Sequence, residues 1–319
     1  MKLTRAAFLD LASVYRGDLD LSALEAAVPE WLWFDKVEPE QLASVLSDIE
    51  VVVCNKVVID RPLLQKATQL KLICIAATGT NNVDLNAAHD LSIPVCNVRS
   101  YATASVVQHV FSLLLSLTTR LMEYQQAIKN NEWAKSEHFS LLDFPVRELQ
   151  GRTLGIVGYG ELGQAVASVA ESFGMKVLIA KRDDNDERSG RLALHEMLPQ
   201  VDVLSLHCPL TETNRHFIAA KEFALMKPDA VFINTARGGL VDESALLDAL
   251  KNNRLAGAAL DVLDHEPPSE TDFLIHSDLP NLIITPHIAW ASIESRQRLI
   301  DGVARNISAF ISGQAAGLV

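Results

Sequence analysis

The chain has 319 residues, with 40 acidic against 28 basic side chains and a formal net charge of -12. That length exceeds one ordinary core and suits two domains. The acidic balance excludes a broad nucleic-acid or anionic-membrane surface, though not a local basic pocket for an anion. Cys54, Cys74, Cys96 and Cys208 are scattered without a C-x-x-C pair, which argues against a disulfide framework or zinc ribbon and fits a reducing cytoplasm.

At the start, Lys2 and Arg5 are followed by Asp10, Arg16 and Asp18, so no signal peptide is predicted. No apolar run reaches membrane-spanning length. In the first hundred residues "AAFLD", "EVVVC", "LKLICIAA" and "IPVCNV" read as strands, and "PEQLASVLSD", "RPLLQKAT" and "DLNAAHD" as helices. That alternation predicts a parallel sheet covered by helices on both faces. One long helix is predicted over Ala104 to Ile128, apolar nearly all round and therefore buried at a domain or subunit boundary or within one core. A second series follows from Gly151: "TLGIVG", "KVLIA", "DVLSLH", "AVFIN", "GAALDV" and "LIITP" read as six strands. A last helix, about Ile293 to Ile311, ends the pattern.

Gly158-x-Gly160-x-x-Gly163 opens a helical pattern directly after the strand "LGIV". In that context it reads as a dinucleotide-binding turn: Gly158 for the tight turn, Gly160 for close approach of a pyrophosphate, Gly163 for helix–strand packing. The helix N-terminus at Glu161 and Leu162 offers N–H groups to phosphate. An acidic residue usually follows the next strand and accepts from the ribose hydroxyls. Here Lys181 and Arg182 occupy that place. Two cations can pair with a 2′-phosphate, so NADP is favoured and NAD is not excluded; Asp183 or Asp184 swinging back to the ribose is the alternative.

Three stretches carry isolated charges among apolar residues: Arg237 after "VFINTA", Glu266 after "GAALDV" and His287 after "LIITP". Each lies beyond the carboxyl end of a strand, where open α/β sheets bind ligands. A guanidinium, a carboxylate and an imidazole suit reduction of a 2-keto acid. Arg237 can grip the carboxylate and polarise the keto oxygen. His287 can protonate that oxygen, and Glu266 can fix the ring and favour the imidazolium. The other histidines read as surface, loop or core residues, His109 as a hydrogen-bonded core group on the apolar helix and His207 as a strand-end residue beside the cofactor. No metal-ligand spacing is present.

With these residues the chain resembles the D-isomer-specific 2-hydroxyacid dehydrogenases. "ATGTNNVDL", "GYGELG", "SLHCPLT", "INTARGGLVDE", "ALDVLDHEPP" and "TPHIAW" appear in order along almost the whole chain. The resemblance implies two doubly wound α/β domains: a flavodoxin-like outer, substrate-binding domain of residues 1–103 and 290–319, and a Rossmann domain of 104–289. It implies Arg237, Glu266 and His287 as the catalytic set, and a homodimer. It places Cys208, Pro209 and Thr213 on the adenosine side of the cofactor. Thr235, Ala236, Arg237, His287 and Ala289 fall on its nicotinamide side, with Asp261 holding the carboxamide. Ala77, Thr78 and Gly79 offer backbone N–H groups to the substrate carboxylate, and Asn55 and Lys56 form a second loop over that pocket. "TGTNNVD" and "HIAW" look most like the glycerate dehydrogenase/hydroxypyruvate reductase branch. A phosphoglycerate dehydrogenase-like enzyme and a nucleotide-sensing, corepressor-like binding protein are the alternatives; Glu266 argues against formate dehydrogenase relatives, which carry an amide there.

Overall fold

The computed structural model describes residues 2–183, 185–314 and 317–319. The chain forms two compact units, Met1–Ala102 with Trp290–Val319, and Thr103–Ala289.

The first unit is built on β1 (Arg5–Phe8), β2 (Glu30–Trp33), β3 (Val51–Cys54), β4 (Leu72–Ile75) and β5 (Val95–Asn97). All pairings are parallel, in the order β2-β1-β3-β4-β5, the flavodoxin-like arrangement. Along β3 the residues alternate between faces. Val51 and Val53 face a core completed by Leu299, Ile300, Val303 and Ile307 of the helix Ile293–Ile311. Val52 and Cys54 face the opposite core, with Leu42, Leu46, Leu64 and Ala87 of the helices Pro39–Ser47, Arg61–Lys66 and Leu85–Asp90. Burial on both faces explains why "VVVC" and "LICI" are continuously apolar. The side chains of Asp60, Asp84 and Ser292 start three of these helices by accepting from the N–H groups of Leu63, Ala87 and Ser295, which otherwise lack an intrahelical partner. Strand β2 was not predicted. It is an edge strand, only partly buried, whose Trp31 and Trp33 stack on each other at 4.7 Å.

The second unit carries β6 (Thr153–Val157), β7 (Lys176–Ala180), β8 (Arg191–Leu192), β9 (Val203–Leu206), β10 (Val231–Asn234), β11 (Gly257–Leu260) and β12 (Leu282–Ile284). The parallel order is β12-β11-β10-β9-β6-β7-β8, the Rossmann order extended by one strand. The direction of winding reverses between β6 and β9, so a crevice opens at their carboxyl ends. Strand β8, two residues long, was not predicted. The single helix expected over Ala104 to Ile128 is two, Thr103–Thr118 and Leu121–Lys129. The break has a local cause. The hydroxyls of Thr118 and Thr119 donate back to Leu114 and Leu115 carbonyls at 2.9 and 2.6 Å, which weakens a helix end. Arg120 then takes a left-handed φ of 56°.

Candidate active site

Arg237, Glu266 and His287 follow β10, β11 and β12, three adjacent strands. The turn after β10 is fixed by Asn234, whose side chain accepts from Ala236 N at 3.0 Å and donates to Arg237 O at 2.8 Å. Gly238 packs so closely on the chain after β11 that a Cβ there would lie 1.9 Å from the Leu263 carbonyl carbon. Only glycine permits that approach. Arg237 itself is exposed, with one guanidinium N–H on Ala236 O at 2.6 Å. Glu266 Oε1 accepts from Leu263 N at 2.9 Å, and its Oε2 meets His287 Nδ1 at 2.6 Å. One carboxylate thus locks itself to its own loop and orients the ring from the next strand. Glu266 and His287 border a cavity of about 520 Å³, whose apolar wall includes Leu274, Leu282 and Ile284.

His287 has φ 54°, a strained value for a residue with a side chain. Asp261, 1 % exposed, holds the segment that carries it. Its Oδ1 accepts from Thr285 Oγ1 at 2.5 Å and Ile288 N at 2.9 Å, and its Oδ2 from Ala289 N at 2.8 Å. His109 Nε2 lies 2.9 Å from Thr285 Oγ1 and 3.3 Å from Asp261 Oδ1. Burial pushes the Asp261 carboxyl up, but the bonds from His109, Thr285, Ala289 and Ile288 outweigh it and hold the group below the ordinary carboxylate range. Asp261 was read as a cofactor contact alone. The structure makes it a fastener of the His287 segment, with acceptor capacity left chiefly on Oδ2. His109 is hydrogen-bonded, as its reading expected, but its partners belong to this site. Thr285 was not assigned to the site. Its place two residues before His287 was the available signal.

The glycines after β6 separate the demands of the fold from those of a ligand. A Cβ at Gly158, where φ is 97°, would lie 2.5 Å from Cys208 N, and one at Gly163 would lie 2.1 Å from Gly158 O. The fold itself needs both to be glycine. A Cβ at Gly160 would meet nothing within 4 Å, and its φ of -84° suits any residue. The fold does not demand glycine at Gly160; close approach of a ligand to this backbone would. Gly160 also begins the helix Glu161–Ser172 without a side-chain cap, and a helix start of this kind can bind a phosphate. Thr235 Oγ1 is buried without a partner among the described residues, an orphan that a bound dinucleotide would satisfy. The residues therefore fit such a group. Cys208 is half-buried and burial pushes its thiol up to about 11. Pro209 and Thr213 are exposed, and Ala289 is buried.

Lys181 follows β7 directly, half-buried, with its N–H on Leu192 O. Arg182 is exposed and its Nε meets Asp183 Oδ2 at 3.1 Å, so Asp183, one alternative ribose acceptor, is paired with a cation. Asp184, the other, lies outside the described residues. Asp186 organises the rest of this loop by accepting from Arg182 N at 2.9 Å and from both Arg188 Nε and Nη2 at 2.6 Å. The Arg188 guanidinium holds its carboxyl well below the usual range.

The other residues assigned to substrate, besides Arg237 and His287, lie in the first unit, at the carboxyl ends of β3 and β4. Asn55 is buried and Lys56 exposed. The N–H groups of Ala77, Thr78 and Gly79 have no acceptor among the described residues. Asn97 Nδ2 steadies that loop through Thr78 O at 2.6 Å. Consecutive unpaired amides of this kind suit an anion.

Comparison with known proteins places this geometry. The family profile described as "D-isomer specific 2-hydroxyacid dehydrogenase, NAD binding domain" matches residues 111–289. The chain is 42% identical over 308 residues to a glycerate dehydrogenase of Methylorubrum extorquens, covering 94% of this chain and 97% of that protein. It is 36% identical over 310 residues to a hydroxypyruvate reductase of Blautia hydrogenotrophica, covering 95% of each. Among solved structures, the NADPH-dependent glyoxylate/hydroxypyruvate reductase of Sinorhizobium meliloti, in complex with NADP and malonate, aligns with a TM-score of 0.82 at 27% identity, covering 100% of this chain and 97% of that one. A Rossmann-ordered sheet with Arg237, Glu266 and His287 after successive strands, and likeness over nearly the full length, lead to one assignment: the chain belongs to the D-isomer-specific 2-hydroxyacid dehydrogenase family.

Proposed function

We propose that the chain reduces hydroxypyruvate or glyoxylate to the corresponding D-2-hydroxy acid, with NADPH favoured over NADH. The observation that carries this reading is the 2.6 Å bond between Glu266 and His287, in the segments after β11 and β12, beside the turn after β10 that carries Arg237. The enzyme is an oxidoreductase that acts between 2-keto acids and D-2-hydroxy acids, as its family membership requires. When bound, the reduced nicotinamide supplies the hydride for the keto carbon. Arg237 binds the substrate carboxylate and polarises the keto oxygen, and its planar fork suits both tasks. His287 gives that oxygen its proton from Nε2, since Nδ1 is engaged by Glu266. Glu266 fixes the ring through Nδ1, which turns Nε2 to the proton transfer.

Gly158, Gly160, Glu161, Leu162 and Gly163 would hold the pyrophosphate. Cys208, Pro209 and Thr213 would lie along the adenosine, and Thr235, Ala236, Asp261 and Ala289 along the nicotinamide. Asn55, Lys56, Ala77, Thr78 and Gly79 would meet the substrate. Exposed Trp133, Phe139, Leu142 and Val146 form an apolar stretch that supports a homodimer. The free cysteines support a reducing, cytoplasmic setting. Among the described residues, no helix is long and apolar enough to cross a membrane.

Lys181 and Arg182 support the cofactor preference. A charge-assisted bond to a 2′-phosphate contributes about 1.5–3 kcal/mol net, and exposure to water and salt reduces it. We expect NADPH to win by about tenfold in kcat/KM, roughly 1.4 kcal/mol, and by less at high ionic strength. Lys181→Asp should reverse the preference. The experiment measures kcat/KM for small 2-keto acids with both cofactors, in parent and variant, at two salt concentrations. A parent that favours NADH defeats the cofactor assignment, and no turnover of any 2-keto acid defeats the reaction.

A further inference from the structure

Asp10 stands two residues beyond β1, at the start of a single helical turn, Leu11–Ser13. An Asp in that position ordinarily caps its own turn. This one does not. Its side chain, 7% exposed, reaches across to the chain leaving β3. There it accepts from Asn55 N at 2.8 and 3.1 Å, Lys56 N at 2.6 Å and Val57 N at 3.1 Å. Three consecutive amides converge on one carboxylate. Ser13, on the same turn, takes the Asn55 side-chain amide on its Oγ at 3.0 Å. On the far side, Asn82 Nδ2 donates to Val57 O at 3.0 Å.

Burying a carboxylate is costly unless donors surround it. A short loop at the surface could leave its amides to water with no such cost. What the carboxylate adds is geometry: three fixed amide planes fix the Cα–Cβ directions of Asn55 and Lys56. It also divides the donors. The amides of residues 55–57 are spent on Asp10, so Asn55 and Lys56 meet an anionic substrate through their side chains and not through their N–H groups. The loop at Ala77, Thr78 and Gly79 keeps its amides open to an anion.

We infer that Asp10, assisted by Ser13, is a positioning residue for the substrate, holding Asn55 and Lys56 where they meet the 2-keto acid. The inference rests on the proposed reading of residues 55–56 as substrate contacts. Asp10 touches no substrate atom and acts through the loop.

The test is steady-state kinetics of the full-length enzyme with hydroxypyruvate and NADPH. Asp10→Asn keeps the size of the side chain but turns one acceptor oxygen into a donor that faces an amide. Its KM for hydroxypyruvate should rise about tenfold, equivalent to about 1.4 kcal/mol of binding. Its kcat and its KM for NADPH should stay close to the parent values. Ser13 is exposed, so Ser13→Ala should fold even if Asp10→Asn does not. It should raise the same KM by a smaller factor, again without a change in kcat. Asn55→Ala and Lys56→Ala complete the set. If these two raise the KM while Asp10→Asn and Ser13→Ala leave it unchanged, the positioning role is wrong and the loop assignment stands. If all four leave it unchanged, the loop assignment falls and the inference falls with it. A loss in Asp10→Asn shared equally by kcat and both KM values would mean general damage and would also overturn the inference.

Discussion

Gly238→Ala tests whether the turn that carries Arg237 must abut the segment that carries Glu266. A Cβ at Gly238 would lie 1.9 Å from the Leu263 carbonyl carbon, 2.0 Å from its oxygen and 2.3 Å from Asp264 N. Carbon atoms pack comfortably at about 3.5–4.0 Å, so the two backbones must part by roughly 1.5 Å. No flexible side chain is available to yield, because all three neighbours are main chain. Parting them moves Arg237 on one side and, on the other, the Leu263 N–H that holds Glu266 Oε1. A misplacement of about 1 Å costs on the order of 10²-fold in catalysis, while overpacking of this kind costs about 1–3 kcal/mol of stability. The variant should therefore melt somewhat lower, remain folded in the cold, and lose about 10²-fold in kcat/KM for hydroxypyruvate. Gly239→Ala is the control. Its Cβ would approach Arg215 Nη1 and Leu210 Cδ2 at 2.9 Å, both ends of side chains that can swing away, so it should be far milder. The measurements are a thermal melt and steady-state kinetics at a temperature where both variants are folded. A Gly238→Ala enzyme of near-parent kcat/KM, or one no worse than Gly239→Ala, would refute the argument that this contact sets the site.

His287→Ala should lower kcat by roughly 10²–10⁴-fold, the usual cost of losing a general acid, with less effect on substrate binding; near-parent turnover would remove it as proton donor. Arg237→Lys keeps the charge but loses the planar fork, so kcat/KM should fall for every 2-keto acid tried, and retention across several acids would exclude two-pronged binding. His207, whose Nε2 lies 2.9 Å from Ser205 Oγ, is pushed down from 6.5 to about 4 by burial. The unfolded chain therefore binds the extra proton in the window between those values, so stability is complete above about pH 6.5 and is lost as pH falls through the window. From neutral pH to pH 5 the loss is about 2 kcal/mol, readable as a lower urea midpoint that His207→Gln should largely escape; an equal drop in both proteins would count against it.

What was legible in the sequence follows from how each element is buried. Central strands covered on both faces appear as unbroken apolar runs, and "VVVC", "LICI" and "VFIN" were read correctly as strands. An edge strand such as β2, with exposed Glu30, carries no such run. Strand β8 is too short to carry any pattern. The break at Arg120 has no glycine or proline to announce it, because threonine back-bonding and one left-handed residue make it. The charged groups beyond β10, β11 and β12 stood out because each follows an apolar strand. Their partners did not, since a bond such as His109 to Thr285 joins residues 176 apart.

One kind of partner does leave a trace in the sequence. Asp10 follows "AAFL" and Asp261 follows "GAAL". In both units an apolar parallel strand runs out into a single carboxylate that is almost wholly buried. In both, that carboxylate gathers backbone N–H groups from a neighbouring segment, residues 55–57 in one case and 288–289 in the other. The physical reason is common to the two places. The carboxyl edge of a parallel sheet is where functional loops emerge, and such loops have amides with no strand to pair with. An anion fixed at the strand end satisfies several of them from one point and leaves the loop little freedom, and ionised acceptors make stronger bonds than neutral ones. A lone Asp at the end of a buried strand is thus a sign that the adjacent loop is held in place. On that argument the residues such a loop exposes, Asn55 and Lys56 in one unit and His287 in the other, are the ones to test first.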